Sequence, residues 1–136
     1  KMANGFETGQ LPTTPAIPLL RALDVALDMM LTEGIEQMWA RHAELGSYLR
    51  SELTDLGLPI YARAGYESAS ITAARPPAGL DGGELRRRIR EDSGIEVDTG
   101  QKPHAEECIR IGTMGWTGRP ELEATVESIA RVIRAN

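Results

Sequence analysis

Cysteine is nearly absent from this chain. Cys108 is the single one, so no internal disulfide can form. With only His42 and His104 beside it, a structural zinc site has too few ligands. Lysine is scarce as well, Lys1 and Lys102 standing against thirteen arginines. The formal net charge is nevertheless -5, which argues against nucleic acid or an anionic membrane as the main partner. No apolar run is long enough to cross a bilayer, and no leader of basic then apolar residues is visible. Repeats and low-complexity segments are missing too. What remains is a chain of 136 residues, 41% hydrophobic and 26% charged, the composition of one globular domain with a real core. The residue set suits a reducing, cytoplasmic location.

The most informative stretch is Cys108-Ile109-Arg110-Ile111-Gly112-Thr113-Met114-Gly115. Ile109 and Ile111 share one face of a strand, and Arg110 points to the other. Two readings follow. Arg110 is either a solvated arginine on an outer face, or a braced planar fork that takes a carboxylate bidentately.

Upstream, residues 1–15 form a polar lead-in without periodicity. The chain opens at Lys1, as a cut within a larger protein would. Thr13 or Thr14 can cap a helix over about 16–32, with Pro15 and Pro18 at its start. Its stripe is Leu19, Leu20, Leu23, Ala26, Leu27, Met30 and Leu31. After Gly34 a second helix is expected over 35–56, with Ile35, Met38, Trp39, His42, Leu45, Leu49, Leu53 and Leu56 on one face. His42 there reads as a hydrogen-bonded interior or boundary residue. Residues 59–63 and 68–74 read as strands, ended by Pro76 and Pro77.

Asp81 and Glu84 have the spacing of a capping box for a helix closed by Gly94. Its Arg86, Arg87, Arg88 and Arg90 are balanced by Glu84, Glu91 and Asp92, so a solvated, paired face is expected rather than a phosphate or nucleic-acid site. Residues 95–98 alternate as a strand. The polar loop 99–107 follows, where Gly100 would permit close backbone approach to a ligand and Lys102 and His104 lie on the surface. Trp116 is a core plug or a pocket wall. Thr117 is a cap for a last helix with Leu122, Val126, Ile129 and Ile133 inside. The order predicts an α+β fold, a mostly antiparallel sheet covered by helices.

Several pieces stand in a telling order: Thr14-Pro15-Ala16-Ile17-Pro18, Glu33-Gly34-Ile35-Glu36, Arg41-His42, Leu56-Gly57-Leu58, Thr72-Ala73, Pro77-Ala78-Gly79, Gly94-Ile95, Gly100 and Arg110-Ile111-Gly112-Thr113-Met114-Gly115. In this the chain resembles the C-terminal small domain of class V, fold-type I pyridoxal-phosphate aminotransferases, nearest to the alanine–glyoxylate and serine–pyruvate group. The resemblance covers essentially the whole chain, with a long interdomain helical part over 16–56. It implies that Arg110 holds the substrate α-carboxylate. It also implies that Thr14 reaches the cofactor phosphate in the neighbouring subunit of a homodimer, and that Gly100 and Gln101 line the substrate entrance. Where the family often has an aromatic residue before that threonine, Leu11 stands here.

The resemblance places the Schiff-base lysine and most of the pyridoxal 5'-phosphate site in a large N-terminal domain, which a longer polypeptide or a second chain must supply. No catalytic residue is assigned to this chain, which alone is not a complete transaminase. The substrates implied are a small amino acid and glyoxylate or pyruvate. The rivals are a cysteine desulfurase-like enzyme, against which Cys108 opens an apolar strand, and a free-standing binding domain of the same fold.

Overall fold

The computed structural model describes residues 14–136. Lys1, Leu11, Thr13 and nearly all of the lead-in lie outside the described residues. The chain divides into two compact units, 1–38 and 39–136.

In the first unit, α1 spans Ile17–Glu33, with Pro18 in its first turn and Gly34 at its end (φ 90°). The residue flanking its start is Ala16, and no side chain caps it, so Thr14 does not act as the cap. Its stripe buries nothing, and Leu19 and Leu31 are among the most exposed apolar residues. A second helix, α2, spans Ile35–Asp55, and the division between units falls inside it.

The second unit holds the core. From α2 come Leu45, Leu49 and Leu53, spaced four apart on one face. The strands are β1 (Ile71–Ala74), β2 (Asp98–Thr99) and β3 (Ile109–Gly112), in the order β1-β3-β2 with both pairings antiparallel. The helices are α3 (Gly82–Ser93) and α4 (Arg119–Arg134). Leu85 and Ile89 of α3, Leu122, Val126, Ile129 and Val132 of α4, Ile109 and Ile111 of β3, Ala74 of β1, and Leu58 and Val97 complete the apolar interior.

The sheet-based α+β expectation is overturned. Helix accounts for 54% of the structure and strand for 9%, and the sheet is open. The cause is the shortness of every strand. Pro76 and Pro77 prevent β1 from running on, since proline brings no N–H to a ladder. The strand expected over 59–63 is one isolated bridge, Ile60 to Ala74, after which the chain turns at Arg63. The strand expected over 95–98 shrinks to Asp98–Thr99.

The third helix starts and stops as its sequence dictates. Asp81 Oδ1 accepts the Glu84 N–H at 2.8 Å, and Gly94 closes the helix in the left-handed region (φ 70°). The reciprocal half of the capping box is not made. Glu84 instead accepts from Arg87 and Arg88, which hold its carboxyl at about 2. Arg86 and Arg90 pair with Glu96, so the arginine cluster is a paired surface. The last helix starts differently from expectation. Gly118, not Thr117, flanks its start, and the Gly118 N–H donates to Glu121 Oε2 at 3.0 Å, while the Thr117 hydroxyl donates to the Met114 carbonyl.

Candidate functional site

Arg110 occupies the middle of the central strand. Its neighbours across the ladder are Ala73 on β1 and Asp98 on β2. Ile109 and Ile111 are buried on one face, so Arg110 emerges on the other, the alternation its sequence requires. Ala73 is too small to cover it, and the Arg110 side chain is 27% exposed. The guanidinium is held by β2: Nε–H donates to the Thr99 carbonyl at 2.6 Å and Nη2–H to Asp98 Oδ2 at 2.7 Å. Asp98 is fixed in turn, because Oδ1 accepts the Thr99 N–H at 2.8 Å. That backbone donor first, and the charge of Arg110 after it, hold the Asp98 carboxyl below the usual carboxylate range. Arg110 is thus a fork on a rigid strand, with one part engaged and one part open.

A second polar group lies in the loop before β3. The Glu107 carboxylate meets His104 Nδ1 at 2.6 Å, accepts the Tyr61 hydroxyl at 3.0 Å, and pairs with Arg75 at 3.5 Å. Arg75 also lies over the Tyr61 ring, 4.3 Å from its centre. These partners, His104 foremost, hold the Glu107 carboxyl below its ordinary range. Sequence reading singled out neither Glu107 nor Asp98. Asp98 was visible only as the end of an alternating run, and its importance follows from a strand register that one sequence does not state.

The expected site residues are distributed unevenly. Arg110, Gly100 and Gln101 belong to the second unit, and Thr14 to the first, where it is exposed ahead of α1. The Gly100 N–H donates to the Cys108 carbonyl at 3.0 Å, and a Cβ at this position would collide with the His104 carbonyl oxygen. Its close approach is therefore to the loop's own backbone. Gln101 is exposed, and its carbonyl accepts the His104 N–H at 2.7 Å. Cys108 is buried, and burial raises its thiol pKa, the opposite of what a reactive thiol needs. Trp116 is 75% exposed, so it is not a core plug. The Nδ1 of His42 is buried with no hydrogen-bond partner among the described residues, unlike the hydrogen-bonded histidine expected. An open hollow of about 780 Å³ is lined by Lys102, Pro103, Ala105, Glu106 and Glu107, and Arg110 does not line it.

No family model matches the chain. Its sequence is 38% identical over 110 residues to pyridoxamine–pyruvate transaminase of Mesorhizobium japonicum, covering 80% of this chain and 28% of that protein. It is 35% identical over 128 residues to an uncharacterised aminotransferase of Methanocaldococcus jannaschii, covering 94% and 33%. The structure superposes on alanine–glyoxylate aminotransferase from Nostoc sp. with a TM-score of 0.85 at 31% identity, covering 91% of this chain and 33% of that one. These residues form a domain of the fold-type I, class V aminotransferase superfamily. This aminotransferase domain spans about a third of the length of the curated relatives it matches.

Dependence on pyridoxal phosphate is a property of the superfamily. The described residues of the domain do not by themselves make a complete site for that cofactor. Their one lysine, Lys102, is exposed on a surface loop, in a hollow it shares with the carboxylates of Glu106 and Glu107, which repel a phosphate. Among the described residues no helix is long and apolar enough to cross a membrane, and no cluster of His, Cys, Asp and Glu could hold a metal ion.

Proposed function

We propose that this domain is the C-terminal part of a pyridoxal-phosphate aminotransferase that moves an amino group from a small amino acid, such as alanine or serine, to glyoxylate or pyruvate. The observation that carries the reading is Arg110, an arginine on the central strand whose fork is braced by backbone and carboxylate yet stays partly open. Both the amino donor and the 2-oxo acceptor carry an α-carboxylate, so one fixed guanidinium serves both half-reactions. Holding that carboxylate lowers the barrier by restricting how the substrate can sit before its Cα bond is attacked.

The cofactor and the lysine that bonds it belong, in this reading, to a large domain outside these residues, in the same polypeptide or in a second chain. Thr14 contributes a hydroxyl to the cofactor phosphate of a neighbouring subunit in a homodimer. Gly100 and Gln101 border the substrate entrance, with Gly100 setting the loop's shape. The names of the relatives support the choice of substrates, and the buried thiol of Cys108 suits a reducing cytoplasm.

The test uses the complete polypeptide that carries this domain, with its cofactor bound. Transamination between alanine and glyoxylate is measured for the wild type and for Arg110→Gln. The expected outcome is turnover that falls about 30-fold or more in kcat/KM, since truncating one partner of a charged pair costs about 2–5 kcal/mol. Equal turnover in the two proteins contradicts the assignment of Arg110. No turnover with any small amino acid and 2-oxo acid contradicts the reaction.

A further inference from the structure

A guanidinium has five N–H donors in one plane, and its edges are not equivalent. Nε and Nη2 share one long edge. In this domain that edge is already used, Nε–H by the Thr99 carbonyl and one Nη2–H by Asp98. Among the described residues Nη1 donates to no protein acceptor. The free edge is therefore the one formed by Nη1 and the second Nη2–H.

The groups that fill the first edge are themselves hydrogen-bonded or part of the strand backbone. Asp98 lies directly across the ladder from Arg110, and its second oxygen is tied to the Thr99 N–H. Thr99 and Asp98 thus bring two acceptors to Arg110 from adjacent residues of β2, a main-chain carbonyl and a side-chain carboxylate. Resting on the reading of Arg110 as the holder of the substrate carboxylate, we propose that Asp98 is a positioning and specificity-determining residue. With the Thr99 carbonyl it occupies the side edge of the guanidinium, so that a substrate carboxylate docks end-on to Nη1 and Nη2. Its charge disfavours substrates that bring a second carboxylate.

The charge balance gives the second half of the proposal. One positive charge on Arg110 is shared between Asp98 and the first substrate carboxylate, which leaves the group at net negative charge. Arg86, the other cation that acts on Asp98, is already engaged by the Val97 carbonyl and by Glu96. A second substrate carboxylate close to this group meets repulsion without a free cation to offset it, so the penalty falls harder on dicarboxylates than on monocarboxylates. The outcome is a site matched to small 2-oxo acids.

The experiment uses the complete polypeptide with its cofactor bound. Calorimetry gives the Kd of pyruvate, a monocarboxylate, and of 2-oxoglutarate, a dicarboxylate, for the wild type, Asp98→Ala, Asp98→Asn and Arg110→Gln, and each protein's Tm is recorded. Asp98→Ala frees the side edge and is expected to weaken pyruvate about 10-fold, as expected when a positioning hydrogen bond to a charged group is lost. Asp98→Asn keeps an acceptor oxygen without the charge. It is expected to hold pyruvate within about threefold of the wild type and to improve 2-oxoglutarate about fivefold relative to pyruvate. Wild-type affinities and preference in both Asp98 variants, beside lost binding in Arg110→Gln, overturn the proposal and leave the reading of Arg110 standing. A loss in Asp98→Ala that comes with a lowered Tm and is not rescued by Asp98→Asn marks Asp98 as merely structural and also overturns it. Unchanged pyruvate binding in Arg110→Gln overturns the reading of Arg110 itself, and the proposal with it.

Discussion

The first and last helices look alike as sequences and differ completely as structures. Both α1, with 17 residues, and α4, with 16, carry leucine, isoleucine or valine at helical spacing, and both have proline in the first turn. α4 buries Leu122, Thr125, Val126, Ser128, Ile129 and Val132, whereas α1 buries none of its residues. An apolar stripe sets which face a helix offers. It does not supply the surface that covers that face. α4 has α3 beside it, tied by Ser93 to Ser128 at 2.9 Å and by Asp92 to Ser128 and Arg131. Most apolar residues of α1, Leu19 and Leu31 foremost, are exposed, which gives this helix an uncovered apolar surface.

The largest expected effect is in α4. Ile129 is fully buried, and Ile129→Ala leaves a cavity, so chemical denaturation should report a loss of about 3 kcal/mol. A loss below about 1 kcal/mol would mean that the core collapses around the site and that the contrast between the helices is weaker than their burial indicates. Next comes the cap of α3, the helix on which α4 rests. Asp81→Ala should cost about 1 kcal/mol, because the Glu84 N–H loses its acceptor. Asp81→Ser should restore most of that stability, and failure of the rescue would show that the charge of Asp81 matters more than its cap.

Acid should act on the same helix. The Glu84 carboxyl is lowered from 4.5 to about 2 by its hydrogen bonds to Arg87 and Arg88. Its contribution is complete above the unfolded value and is lost as pH falls from about 4.5 towards 2. The Tm of Glu84→Gln relative to wild type should therefore be lower at pH 7 and converge with it near pH 2 to 3. A gap that is constant with pH would assign the effect to packing. The smallest effect belongs to α1. Leu19 is 71% exposed, and Leu19→Ser in this chain should change stability by no more than about 0.5 kcal/mol, while reducing binding of a hydrophobic dye. A larger loss would mean that α1 is covered after all.

Helices were the most legible part of the sequence because their signals are local. Expected bounds of 16–32 and 35–56 meet observed helices at Ile17–Glu33 and Ile35–Asp55. Asp81 and Gly94 marked both ends of α3 for the same reason. Strands were poorly legible because pairing is made with distant residues. Residues 59–63 have strand composition, yet their one bridge is all that Pro59 and the turn at Arg63 permit. Thr117 was the better N-cap by propensity, and the Glu121 side chain reaching the Gly118 N–H displaced it by one residue. At the site, the flanking isoleucines fixed the direction of Arg110, but Asp98 entered only through the register of β2 on β3. Glu107 joins Tyr61, Arg75 and His104 across gaps of 46, 32 and three residues, a grouping without a sequence signature.

The most direct measurement is a crystal structure of the complete polypeptide with its cofactor and pyruvate bound. The expected result has the pyruvate carboxylate on Nη1 and Nη2 of Arg110, with Asp98 and the Thr99 carbonyl still on the adjacent Nε–Nη2 edge. A carboxylate seated on another cation, with Arg110 unchanged and facing solvent, would contradict the assignment of this strand as the substrate-binding element.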